Sequence, residues 1–188
     1  GSSDRTIKLW TLGGDCIRTL RGHSSWVLAL AVHKDTIISG SWDNDIKLWT
    51  LSGSCLRTLK GHSDKVLALA VHKDTIISGS RDRTINLWTL EGQCIRTLRG
   101  HIDYVYALAV HKDTIISGSG DYFIKVWTLE GECVKTLEGH SDGVYALAVH
   151  KDKNLIISGS GDRTIKLWTL GGDCIRTLKG HSGEVCAL

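Results

Sequence analysis

One unit recurs along this chain almost unchanged, and that recurrence limits the fold more than any other feature of its 188 residues. Tryptophan stands at Trp10, Trp49, Trp88, Trp127 and Trp168, at intervals of 39, 39, 39 and 41 residues. Gly-His pairs keep the same phase at Gly22-His23, Gly61-His62, Gly100-His101, Gly139-His140 and Gly180-His181. Lys153 and Asn154 account for the longer last interval. A period near 40 residues signals a repeat architecture in which each unit is one supersecondary element, burying its apolar face only against its neighbours.

Within a unit, four short segments carry the β-branched and apolar content of strands: residues 27–32 (strand a), 36–41 (b), 45–50 (c) and 54–59 (d). His33-Lys34-Asp35, Asp43-Asn44 and Leu51-Ser52-Gly53 supply turn chemistry between them. The apolar runs are too short, and too regularly broken by Gly, Asp and Ser, for helices. Four meandering strands per unit read as one blade of a β-propeller. The predicted fold is all-β, with four complete antiparallel four-stranded blades and a fifth that is split and incomplete. One domain over 1–188 is expected, with blades at about 21–59, 60–98, 99–137 and 138–178, a partial blade at 1–20 and a partial strand a at 181–188.

The chain reads as circularly permuted. Joining Leu188 to Gly1 would complete five units but for about nine residues, those equivalent to 31–39, so a strand b is lacking. Open strand edges are templates for pairing, and the ends are expected to meet within one molecule or between molecules. The vacant position could accept an extended peptide by strand addition. The sequence holds no methionine, which leaves open an artificial start or a cut from a longer chain.

Charge excludes several classes of function. The 23 basic and 20 acidic residues leave a net charge of +3, scattered rather than blocked, so a nucleic-acid partner is not expected. No apolar run approaches the roughly 18–20 residues of a membrane span, and no signal pattern opens the chain. Five of the six cysteines, Cys16, Cys55, Cys94, Cys133 and Cys174, follow the repeat in Gly-x-Cys and form no zinc spacing. They are expected to be unpaired, buried as small hydrophobes, in a reducing cytoplasmic setting. No metal and no cofactor is expected.

Gly-His before strand a, Ser-Gly-Ser-x-Asp after strand b and the strand c tryptophan together resemble the WD-repeat family, over essentially the whole chain. The eponymous Trp-Asp pair is Trp-Thr here, and the short a–b turn is similar to that of F-box WD-repeat proteins. The resemblance implies a hydrogen-bonded tetrad in each blade: His23, Ser39, Asp43 and Trp49; His62, Ser78, Asp82 and Trp88; His101, Ser117, Asp121 and Trp127; His140, Ser158, Asp162 and Trp168. Its Asp is expected to accept from the His ring, the backbone and the Ser hydroxyl, while the indole N–H donates inward. A fifth tetrad is split, with His181 at one end and Asp4 and Trp10 at the other. Ser, His and Asp also suggest a hydrolase triad, but an enzyme needs one differentiated site and here the trio recurs with a tryptophan each time. His33, His72, His111 and His150 sit at equivalent turns of successive blades, too far apart to share a metal ion. A non-catalytic role is therefore expected.

Positions that differ between near-identical units hold the remaining information, because the framework's needs are common to all. Variation concentrates before strand a (Ser25-Trp26, Asp64-Lys65, Asp103-Tyr104, Asp142-Gly143, Gly183-Glu184), before the tetrad Asp (Trp42, Arg81, Gly120, Gly161, Ser3) and after it (Asn44, Arg83, Tyr122, Arg163). In the family the first two of these places lie on one face around the central channel, the usual partner surface. A protein or peptide is the expected partner, held by Trp26, Trp42, Lys65, Arg81 and Tyr104, since aromatic and arginine side chains make good interface anchors. The plainer reading is that Trp26 and Trp42 pack on each other. A second functional reading is a self-assembling or designed propeller with no evolved ligand: one chain would supply about five blades, where the family usually has seven or eight, and a homo-oligomeric ring of two chains about ten. Near-identical repeats of this kind resemble those appended to large bacterial signalling ATPases and fungal immune-type receptors, where they serve as sensor or interaction domains.

Overall fold

A computed structural model describes residues 1–188, and every regular element in it is a strand. The first two strands, β1 (Thr6–Trp10) and β2 (Cys16–Arg21), form a two-stranded antiparallel sheet. Four sheets of four strands follow. The first comprises β3 (Val27–His33), β4 (Thr36–Ser41), β5 (Ile46–Thr50) and β6 (Cys55–Leu59). The second comprises β7 (Val66–His72), β8 (Thr75–Ser80), β9 (Ile85–Thr89) and β10 (Cys94–Leu98). The third comprises β11 (Val105–His111), β12 (Thr114–Ser119), β13 (Ile124–Thr128) and β14 (Cys133–Leu137). The fourth comprises β15 (Val144–His150), β16 (Leu155–Ser160), β17 (Ile165–Thr169) and β18 (Cys174–Leu178). Each is a simple meander, the topology of a propeller blade. No helix is long and apolar enough to cross a membrane.

The turns explain the pairing. Asp43 Oδ1 accepts from the Asp45 amide at 3.1 Å, an Asx turn that carries Asn44 through φ 71° between β4 and β5. Thr50 Oγ1 accepts the Ser54 amide at 3.0 Å and closes the next turn, where Gly53 takes φ 93°.

The cores lie between blades rather than within them. Ile38, Ile46, Leu48 and Leu59 of the first full blade meet Val66, Ile76 and Trp88 of the second, and two further clusters repeat the arrangement. A fourth packs Ile7 and Leu20 of the two-stranded sheet against Val27, Ile37 and Trp49. On the turns opposite the tetrad, His33 Nε2 reaches Asp74 at 2.9 Å and His72 Nε2 reaches Asp113 at 2.9 Å, each across a blade junction. His111 meets Asn154 at 2.8 Å in the same way. Blades are thus stacked by burial and latched at their rims.

Inner strands contact in the order β3, β7, β11, β15, and no comparable contact returns from β15 to β3, so the blades form an open arc. Residues 181–188 correct the expected C-terminal strand a: Val185 is buried and its amide donates to Ser160 O at 3.0 Å, but no ladder forms. A strand a pairs with its own strand b, and here none is present to receive it. The cysteines are a second correction, since all six are exposed and unpaired. Five of them begin the outermost strand of a sheet, which has no neighbour beyond it, and apolar character alone does not bury a residue there.

Candidate functional site

Two sets of side chains compete for the functional reading, the buried tetrads and the variable rim. In all four full blades the tryptophan Nε1–H donates to the serine Oγ at 2.8 Å, and that Oγ lies 2.7 Å from the histidine Nε2. Histidine Nδ1 then meets the aspartate Oδ2 at 2.7–2.8 Å. The arrangement is a line, Trp to Ser to His to Asp, with His Nδ1–H donating to the carboxylate and Nε2 accepting from the hydroxyl. This differs from the expected pattern in one respect. The tetrad serine does not touch the aspartate, because the imidazole stands between them.

Burial controls the ionisation of these groups. It lowers the affinity of His23 and His140 for a second proton, and the neighbouring aspartates only partly offset it. Burial alone would raise the Asp162 carboxyl, but Thr164, His140 and the Ser141 amide outweigh it and hold the carboxyl at about 2. Asp43, Asp82 and Asp121 are lowered in the same way, against burial, by the histidine and backbone amides. Ser39, Ser78, Ser117 and Ser158 are all 0% exposed, so none can meet a substrate. His181 is exposed, and no hydrogen bond joins it to Asp4 or Trp10. Asp4 instead caps Thr6 at 2.7 Å, and Trp10 is 57% exposed.

The rim is continuous. Trp42 N donates to Trp26 O, and Arg81 N to Lys65 O, each at 2.9 Å, so the two variable positions of one blade are cross-strand neighbours. The Trp26 and Trp42 rings stack with centroids 4.3 Å apart. Lys65 Nζ lies 3.5 Å from the Trp42 centroid and joins the first blade to the second. Arg81 Cζ lies 4.6 Å from the Tyr104 centroid and joins the second to the third. Tyr104 meets Tyr106 edge-on at 6.0 Å, and Tyr106 meets Tyr145 at 5.0 Å. Cation–π and aromatic pairs of this kind contribute about 0.5–1.5 kcal/mol each, enough to hold side chains in place without burying them. Trp26 remains 43% exposed although stacked.

All five rim residues singled out in the sequence therefore lie in one band across three blades. The band ends where Gly120, Gly143 and Gly161 replace large side chains; a Cβ at Gly143 would come 2.8 Å from the Tyr145 ring. Asp64, a variable position before strand a but not one of the five expected anchors, lies 3.7 Å from Arg81, and Arg99, which variation does not mark, faces the same cleft. A basic residue stands at the position of Arg99 in four of five units, so only geometry marks it out.

The family model for the WD domain, G-beta repeat, matches four segments, 14–50, 53–89, 92–128 and 131–169. Among curated proteins, nuclear distribution protein nudF 2 of Penicillium rubens is 61% identical over 33 residues, 18% of this chain and 7% of the relative. Nuclear distribution protein PAC1 of Cryptococcus neoformans var. neoformans is 59% identical over 34 residues, 18% of this chain and 8% of the relative. PAC1 of Arthroderma otae is 58% identical over 33 residues, 18% and 7% of the respective chains. Each match is shorter than one 39-residue unit and spans less than a tenth of the relative, so it carries the blade and not the relative's role.

Proposed function

The chain belongs to the WD-repeat family, and from that premise we propose that it is a non-catalytic scaffold binding a protein or peptide on the rim formed by Trp26, Trp42, Lys65, Arg81 and Tyr104. WD-repeat proteins act as protein-interaction scaffolds. The observation that carries the reading is the continuity of the band: residues from three blades are held by stacking and cation–π contacts, yet keep apolar area open. Pre-ordered aromatic side chains lose little freedom on binding, which is what an interface anchor requires. The stacking of Trp26 on Trp42 uses ring faces and leaves ring edges free. A reducing intracellular setting suits six exposed, unpaired thiols.

Peptides selected against the intact chain from a random display library test the proposal. Trp42→Ala with Arg81→Ala should weaken the selected peptides at least tenfold while the thermal melt of the variant stays close to that of the parent. Undiminished affinity in that variant would place the site elsewhere.

Self-assembly is the second reading, favoured by the blade faces that residues 1–188 leave uncovered. Trp10 is 57% exposed where its four counterparts are 1%. At the other end of the arc, Ile157 and Leu167 are only half-buried where Ile116 and Val126 are 0% and 4% exposed. Light scattering decides this reading: a mass near 20.6 kDa opposes it, and a concentration-dependent dimer or larger ring supports it.

A further inference from the structure

We propose that the cleft between the second and third full blades is an anion pocket, and that it receives an acidic side chain, carboxylate or phosphoester, of the peptide bound on the rim. The inference rests on the reading of that rim as a peptide-binding surface and adds the chemistry of what binds there.

The cleft encloses about 540 Å³ and brings together Arg81, Arg83 and Arg99 with Tyr104 and Asp64. Its walls are polar, so it does not suit an apolar ligand. Arg81 lies with its guanidinium over the Tyr104 ring, 4.6 Å from the centroid. A guanidinium held over an aromatic ring can still donate from its edge, the geometry that grips a carboxylate or phosphate with two bonds. Arg81 Nε is buried and has no hydrogen-bond partner. Its nearest carboxylate, Asp64 Oδ2, stands off at 3.7 Å. Arg83 and Arg99 form no ion pair within the chain. The other acid in the cleft, Asp82, is already engaged by His62 at 2.7 Å and the Ser63 amide at 3.1 Å. Positive charge in the cleft therefore exceeds what the chain itself neutralises.

Arg83 holds φ 69°, the left-handed conformation that Arg5, Asn44, Tyr122 and Arg163 share at the equivalent turns, so the turn is common to the units and only the neighbours of Arg83 differ. Asparagine adopts that conformation readily. The other junctions do not assemble the same set. Asn44 and Lys60 stand at the first, Tyr122 and Glu138 at the third. Arg163 and Lys179 repeat the cation pair beside the fourth blade, but Gly161 and Glu184 take the places of Arg81 and Tyr104. Only one junction combines three arginines with an aromatic support.

The experiment uses the full 188-residue chain and reads the arginine Nε–H resonances by NMR. Inorganic phosphate is titrated first, then three matched Gly-Ser-Trp peptides differing at one position, which is phosphoserine, glutamate or serine. Saturable shifts confined to Arg81, Arg83 and Arg99 are expected. At least tenfold tighter binding of an acidic peptide than of the serine peptide is also expected, with the order of phosphoserine and glutamate identifying the preferred anion. Arg83→Asn with Arg99→Gln should abolish the tenfold preference; Asn suits the left-handed turn, so an unchanged or higher melting temperature is expected for this variant. Equal affinity for the three peptides, or phosphate shifts spread evenly over Arg5, Arg21 and Arg163 as well, overturns the proposal. Trp26→Ala with Trp42→Ala separates the two readings: weakened peptides with an unchanged phosphate titration support both. Peptide affinity that does not move in this variant, while the acidic preference persists, refutes the rim and leaves the pocket standing.

Discussion

Tetrad serine is the residue on which most depends for its size. Ser117 Oγ receives the Trp127 indole N–H at 2.8 Å and faces His101 Nε2 at 2.7 Å, with all three side chains buried. Ser117→Ala removes both bonds at once and leaves two buried polar groups without partners. Urea denaturation should show a loss of about 1–3 kcal/mol, against near-neutrality for Ser52→Ala in an exposed turn. Acid should weaken the fold in two stages, and the sign follows from which state binds protons more tightly. His23 and His140 are lowered from 6.5 by burial, so the unfolded chain protonates first and stability falls as pH descends below about 6.5. Asp162 is lowered from 3.8 to about 2, so its contribution is complete above 3.8 and is lost as pH falls towards 2. A urea midpoint that rose as pH fell from 6.5 towards about 4 would contradict the histidine assignment, and one that rose below 3.8 would contradict the aspartate assignment. The four tetrad residue types are legible in the sequence because they recur at offsets that resemble the WD-repeat family's, and the resemblance joins them in one network. The order of their bonds is not legible there, because offsets do not say which group stands between two others.

Strands and their turns set the next scale. Gly79, the penultimate residue of β8, faces the first residue of β11, and a Cβ there would lie 2.7 Å from Val105 Cγ1 and 3.3 Å from Val105 O. Gly79→Ala forces two blades apart and should cost about 1–3 kcal/mol by thermal or urea unfolding, although alanine suits a strand better than glycine. The turn at Tyr122 predicts the reverse. This residue is 47% exposed and holds φ 74°, which an aromatic side chain adopts at a cost. Tyr122→Asn should raise stability by about 0.5–1 kcal/mol in the same assay. Strand limits follow closely from alternation and turn chemistry: residues 36–41, the expected strand b, form β4. The cysteines depart from the expected burial because composition ranks a residue by type, whereas exposure at the start of β6 or β10 follows from its place on the outermost strand.

At the scale of the molecule, the open arc makes stability uneven. Inner clusters draw seven buried residues from two flanking blades, while the cluster beside β1 and β2 has five. Few contacts then hold the two-stranded sheet or residues 181–188, and local opening should cost least there. Hydrogen exchange should release the amides of β1, β2 and Val185 first and those of β8 and β12 last. Uniform protection from end to end would show that the ends are covered, within a ring or by a second copy.

The all-β class, the blade and its period follow from the amino-acid order, because they rest on local alternation, turn chemistry and recurrence; the residues of the four complete tetrads follow from the resemblance to the WD-repeat family, which those recurring positions carry. The amino-acid order also marked the rim positions, since variation among near-identical units singles them out. Tertiary structure alone decided that Trp42 meets Lys65, that Arg81 meets Tyr104, and that Arg99 faces them both across a cleft. Those contacts join residues of different blades, and their distances follow from how one twisted sheet packs on the next, a quantity no single repeat encodes.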